Sequence, residues 1–243
     1  MSEAVNGDLS VRVSMHTEQM EWSPSPSGTV WRKRLHLVGP PEAGQVTSVV
    51  RYERGANFRE HDHPEGEEIL VLEGVFSDHQ GDWPAGTYLL NPEGFRHAPS
   101  SEPGCVLLVK LRQYSGEGRA HHAIPVAELE WRSMAPGVEQ RLLYSDPNFP
   151  DETVIERWQP NTETVTRKFL DGAEVFVLKG SFTESGERFD TGSWLRIPPG
   201  GDFSPVTSEG FEAYVKMGGV SHMRSVGTSL TKSMTAASTQ LIS

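Results

Sequence analysis

Apolar residues enter this chain in short bursts bounded by glycine and proline. Segments such as "QVTSVVRYE", "EILVLEGVFS", "GTYLLNP", "CVLLVKLRQY", "TVIERWQ", "EVFVLKGSFT", "GSWLRIPP" and "EAYVKMGG" are rich in β-branched and aromatic residues. They run about four to ten residues, the usual length of strands, and none sustains a helical apolar period. The 24 glycines and 17 prolines fall between them as turn signals. This rhythm predicts an all-β fold of barrel or sandwich type. One exception, "VAELEWRSMAPG", is bracketed by Pro125 and Pro136 and is expected to form a short helix or turn. The Ser/Thr-rich end, "GTSLTKSMTAASTQLIS", is expected to be loosely ordered.

The pattern occurs twice. Laying "GEEILVLEG" (66–74) over "GAEVFVLKG" (172–180) sets an offset of 106 residues (172 − 66). That offset carries Arg51 onto Arg157, Phe76 onto Phe182, Gly86 onto Gly192, Pro92 onto Pro198 and Val109-Lys110 onto Val215-Lys216 without a gap. The period is too long for a solenoid unit and long enough for a small barrel, so the chain reads as two tandem domains of one fold. The expected division is an N-terminal extension over 1–21, a first domain over 22–120, a second over 121–225 and a flexible tail over 226–243.

Chemistry concentrates in the first copy. His61 and His63, at i and i+2, project to one face of an extended strand, as two ligands of one ion must. Glu67 follows after the Pro64-Glu65-Gly66 turn and can reach the same point from a second direction. Its neighbour Glu68 should face away, and so should Glu65. Glu68 aligns with Glu174, whereas Glu67 aligns with Ala173, so Glu68 and Glu174 are read as structural, with Arg51 and Arg157 as expected partners. Downstream, Gly86, Pro92 and Gly94 lead to His97 through a strand and a tight turn, which offers a fourth ligand from across the barrel.

These spacings resemble the cupin superfamily. The first cupin element, G-x5-H-x-H-x3-E-x6-G, is filled by Gly55, His61, His63, Glu67 and Gly74. The second, G-x5-P-x-G-x2-H-x3-N, is matched by Gly86, Pro92, Gly94 and His97, with Ser101 in place of its final Asn. Within that superfamily, "WSPSPSGTVWRKRLHLVGPPEAGQVTSVVRYERG", "HDHPEGEEILVLEGVFSD" and "PAGTYLLNPEGFRHAPSSEPGCVLLVKLRQY" resemble the cupin-like domain of ChrR-type anti-sigma factors. The resemblance implies two tandem double-stranded β-helix (jelly-roll) barrels. It also implies a metal, zinc in that family, bound by the positions of His61, His63, Glu67 and His97. ChrR-type proteins hold their sigma factor through a separate N-terminal zinc-binding helical domain, and the residues before 22 supply no counterpart. The second copy replaces the four positions by Arg167, Phe169, Ala173 and Phe203, so one metal is expected, with the second barrel filled by apolar volume.

Donor types alone leave the ion open among zinc, iron, manganese, nickel and copper. Zinc on all four side chains suits a structural or sensory role, and the ChrR resemblance implies for it a regulatory or stress-sensing protein with a sigma factor or other protein as partner. Iron or manganese with open positions suits a dioxygenase or isomerase acting on a small molecule, and the residues do not decide whether the chain is an enzyme. Composition narrows the partners. Twenty-two basic against 33 acidic residues give a net charge of −11, which disfavours nucleic acid and anionic membrane surfaces. The sequence lacks an apolar run long enough to span a bilayer and a secretory signal, so it reads as cytoplasmic, and the superfamily habit suggests a homodimer. Cys105 is single and reads as an apolar strand residue. His121-His122, His16, His36, His79 and His222 read as surface or packing residues.

Overall fold

The structure is a computed structural model that describes residues 4–162 and 166–226. The expected loosely ordered tail lies, apart from Val226, outside the described residues. The described chain is almost entirely β, with three short 3-10 turns, and it forms the two antiparallel barrels that the repeat predicts.

The main sheet of the first barrel runs Val30–Val38, Gln45–Tyr52, Cys105–Leu111, Glu67–Asp78, Thr87–Asn91 and His122–Pro125 in spatial order. The second repeats it as Val138–Ser145, Glu152–Trp158, Phe211–Met217, Ala173–Glu184, Ser193–Ile197 and Val13–His16. The last strand of each list comes from the segment that precedes the other barrel in sequence. Val13–His16 pairs with Ser193–Ile197 in the register His16 to Ser193, and His122–Pro125 pairs with Thr87–Asn91 in the register Leu90 to His122. Each barrel thus covers an open edge of the other, which would otherwise present unpaired N–H and C=O groups. The stretch around residues 126–135 forms the 3-10 turn Val126–Glu128 and then a strand, Arg132–Ala135.

Side-chain alternation sorts the strands into three cores. Ile69, Val71, Leu89 and Leu107 point into the first barrel, and Val154, Val175, Val177 and Val215 into the second. Leu70, Leu108, Ile155, Phe176, Trp194 and Tyr214 point the other way and pack together between the barrels. Strands buried on both faces lose the polar alternation of a solvated sheet, which is why "EILVL" and "EVFVL" read as continuous apolar runs. Gly74 is required where it sits. Its φ is 72°, and a Cβ there would lie 2.0 Å from the carbonyl oxygen of Gly104. Cys105 is buried in the first barrel, and burial raises its thiol pKa to about 11.

A charge lattice is buried in the middle core. Lys110 lies opposite Glu68 on neighbouring strands of one barrel, and Lys216 opposite Glu174 in the other. Each lysine nevertheless bonds the glutamate of the other barrel, Lys110 to Glu174 and Lys216 to Glu68, the latter at 3.0 Å. Each also donates to a threonine of its own barrel, Thr47 at 2.9 Å and Thr153 at 3.2 Å. Glu68 further accepts from the hydroxyls of Tyr114 and Tyr214, and Lys216 donates to Asp151 at 2.9 Å. The structural role expected of Glu68 and Glu174 therefore stands, but with different partners. Arg51 lies over Trp22 and pairs with Glu53 at 3.8 Å, and Arg157 pairs with Glu139.

His36 completes the interface. It is fully buried, with Nδ1 at 3.1 Å from both the Asn6 carbonyl and Arg196, and burial lowers its pKa to about 4.

Two outcomes follow from these contacts. Lys110→Met strands the Glu174 carboxylate and should cost about 3–5 kcal/mol in urea denaturation, most of it recovered in the double variant Lys110→Met/Glu174→Leu. His36 is neutral when folded and protonates near pH 6.5 when unfolded, so its contribution is full above that pH. It fades as pH falls toward 4, by on the order of 3 kcal/mol. His36→Gln should flatten stability between pH 6.5 and 4, measured by denaturant titration at each pH.

Candidate metal centre

Two short strands and two turns bring the histidines together. His61–His63 pairs antiparallel with Phe95–His97, with His61 opposite His97 and Phe95 opposite His63. The His63 carbonyl accepts from Gly66 N at 3.1 Å and from Gly94 N at 3.0 Å, so one oxygen ties both ligand-bearing turns. The first turn runs through left-handed backbone at Glu65 (φ 59°) and Gly66 (φ 71°), and a Cβ on Gly66 would meet Tyr114 Cβ at 2.8 Å. Glu65 itself points outward, to Arg224. The chain then resumes as Glu67–Asp78 with Glu67 facing inward, opposite Asn91.

The three imidazoles each offer a nitrogen within 4.8 Å of the others, and His63 Nε2 lies 2.8 Å from His97 Nε2. Glu67 Oε2 is 3.6 Å from His63 Nε2 and 3.5 Å from His97 Nε2. Tetrahedral bonds of about 2.0–2.1 Å would set neighbouring donors about 3.3 Å apart, a spacing that the separations among His63, His97 and Glu67 bracket. The far nitrogens agree. His61 Nδ1 lies 2.9 Å from the Arg59 carbonyl, an oxygen that can only accept, so Nδ1 carries the proton and Nε2 has its lone pair free. His97 Nδ1 lies 3.2 Å from Asp78 Oδ2, the carboxylate–histidine arrangement that orients a metal ligand. Burial lowers the pKa of His63 and favours its neutral, ligating form, with Glu67 opposing. Burial would raise the Asp78 pKa, but hydrogen bonds from His97, the Gln80 amide and the Trp83 indole hold it below the usual carboxylate value.

The structure thus gathers three of the four residues singled out in the sequence, His61, His63 and His97, into one cluster and places Glu67 beside the latter two. It adds two supports that sequence reasoning missed, Asp78 and Asn91. Asn91 donates to Glu67 Oε2 at 2.9 Å and fixes that carboxylate. Its place could have been inferred, since Asn91 immediately precedes Pro92 of the second motif. Asp78 carries no local signal, because it meets His97 only through the barrel's curvature. The other histidines sit outside the cluster, His121 stacked on Phe95 at 4.9 Å and His122 against Tyr144.

The equivalent region of the second barrel is filled. Phe169, Ala173 and Phe203 belong to its core, and Arg167 lies over both phenyl rings while gripping Glu156 at 2.7 and 3.0 Å. Apolar volume accounts for three of the four positions, and an internal ion pair closes the fourth.

Two tandem double-stranded β-helix barrels, with a three-histidine cluster and a glutamate inside one of them, define a bicupin with a metal-competent site. The model of the ChrR cupin-like domain matches residues 10–115 and again 119–221, and the chain belongs to that family. Solved structures share the fold at low identity. A candidate dioxygenase from Nostoc punctiforme is 14% identical with a TM-score of 0.71, over 87% of this chain and 84% of its own. Salicylate 1,2-dioxygenase from Pseudoaminobacter salicylatoxidans, as adducts with gentisate, is 13% identical with a TM-score of 0.62, over 88% and 82%. The Escherichia coli pirin YhhW in complex with nickel(II) is 16% identical with a TM-score of 0.63, over 89% and 100%. No curated protein matches the chain in sequence. Among the described residues no helix is long and apolar enough to cross a membrane.

The Asp78–His97 contact gives a direct expectation. Asp78→Asn should weaken divalent-ion affinity about 10–100-fold with little loss of melting temperature, read by competition with a chromogenic chelator.

Proposed function

We propose that the first barrel holds one zinc ion on His61, His63, Glu67 and His97, and that the chain is a regulatory, stress-sensing relative of ChrR-type proteins that acts through a protein partner such as a sigma factor. The observation that supports this reading is the approach of Glu67 Oε2 to both His63 and His97, which adds a carboxylate beside the three-histidine cluster. Four side-chain donors match the closed tetrahedral coordination of zinc sites that serve structure or signalling. When bound, such an ion supplies Lewis acidity and fixed positive charge at the barrel's inner end. The chain's own residues do the rest: Asp78 and the Arg59 carbonyl set the tautomers of His97 and His61, Asn91 holds Glu67, and Phe76 and Phe95 wall His97 from water.

A second reading is a mononuclear dioxygenase or isomerase using iron, manganese or nickel. It is favoured by a cavity of about 210 Å³ that His61 and His63 line from one side, and by the fold shared with salicylate 1,2-dioxygenase. Metal analysis of protein isolated without added metal separates the two. One zinc per chain, lost in His97→Ala, with no oxygen consumption, is the expected result. Stoichiometric iron with oxygen uptake on a diketone or a phenolic ketone would transfer the assignment to the second reading.

A further inference from the structure

The cavity beside the histidines is the interior of the first barrel, and its far wall is basic. Val30–Val38 and Gln45–Tyr52 run antiparallel with Arg34 opposite Ser48 and Arg32 opposite Val50, and all four line the cavity. Arg112 lines it too, on left-handed backbone (φ 60°). Three guanidinium groups thus face two carboxylates, Glu42 and Asp62, before any ion is counted. A divalent ion on three neutral imidazoles and one carboxylate would add a further net positive charge.

Two details point to a ligand. Ser48, a residue of the cavity wall, is 2% exposed, and its buried hydroxyl has no hydrogen-bond partner among the described residues. A buried hydroxyl left unpaired is costly and calls for a polar partner. Next to it, Glu42 places both carboxylate oxygens on Arg32 Nη1, at 2.7 and 2.8 Å, and Oε1 at 3.4 Å from Arg34 Nη2. Glu42 comes from the Pro/Gly-rich stretch after Val38 and its side chain is half exposed, so it can leave without disturbing the barrel.

The duplication supplies an independent comparison. By strand register, Arg32, Arg34 and Ser48 correspond to Gln140, Leu142 and Val154 of the second barrel, and by the 106-residue offset Arg112 corresponds to Gly218. The copy without the metal ligands has none of the basic wall either. If these arginines served only to bind Glu42 or to hold the barrel together, nothing would link them to the ligand set.

We propose that the first barrel binds a small organic carboxylate between Arg32, Arg34 and Ser48 on one side and the histidine cluster on the other, with Glu42 standing in the carboxylate's place until it arrives. The volume, below the roughly 300–1,000 Å³ of drug-sized pockets, suits a small acid rather than a peptide or nucleotide. This rests on the metal-centre reading only for what the far end of the ligand meets. The carboxylate grip needs the arginines alone.

Isothermal titration calorimetry with oxalate, succinate and benzoate, and with benzamide as the neutral control, tests it on zinc-loaded and metal-stripped protein. At least one carboxylate should bind, with benzoate at least ten-fold tighter than benzamide if benzoate is accepted. Arg34→Met should weaken that carboxylate at least ten-fold with metal content unchanged, and Glu42→Gln, on the exposed stretch, should tighten it several-fold. Binding by none of the three acids, indifference to Arg34→Met, or weaker binding in Glu42→Gln would overturn the proposal. Metal content is read separately. One zinc per chain with no carboxylate binding removes this inference alone, whereas Arg34-dependent carboxylate binding by protein that takes up no metal removes the metal reading alone.

Discussion

The side-chain alternation of a single strand, Glu67–Asp78, is the constraint on which the molecule is organised. Adjacent carboxylates on a pleated strand must face opposite ways. Glu67 therefore enters the first barrel, where Asn91, His63 and His97 meet it, and Glu68 enters the interface, where Lys216, Tyr114 and Tyr214 meet it. A one-residue slip would exchange the two and leave each carboxylate buried without partners. The metal-competent interior and the two-barrel assembly are consequently fixed by the same register.

The interface itself combines two kinds of interaction with different roles. Apolar burial by Leu70, Ile155, Phe176 and Trp194 is non-directional and would tolerate sliding of one barrel on the other. The crossed pairs Lys110–Glu174 and Lys216–Glu68 tolerate little, since each charge is buried and any displacement unpairs it. The exchanged strands Val13–His16 and His122–Pro125 add backbone pairing to the same end. Orientation thus comes from charges and edges, and cohesion from the apolar surfaces around them.

Much of this was legible in the sequence because it rests on local periodicity. Strand alternation predicts the inward turn of His61, His63 and Glu67, and the gapless offset predicts both the second barrel and its loss of ligands. What escaped depends on contacts distant in the chain. Lys110 and Lys216 mark the repeat, yet only the packing of the two copies shows that each reaches the other's glutamate. Arg51 and Arg157 looked like natural partners for those glutamates, but Trp22 and Glu53 hold the first and Glu139 the second. Four-residue edge strands such as "VSMH" and "HAIP" are too short to carry a period, so their exchange leaves no signal.

The divergence of the two barrels follows from this division. With orientation secured at the interface, the interior of either barrel is free to change. The second interior closed on Phe169, Phe203 and the Arg167–Glu156 pair, a filled core that adds stability to its half. The first interior remains polar and partly open, with a three-histidine cluster of which His61 and His63 join a wall of arginines in lining about 210 Å³. An unfilled, charged interior is the more costly arrangement for a barrel that has an apolar alternative in its own duplicate. Since the second barrel closes without these groups, the fold itself does not require them in the first.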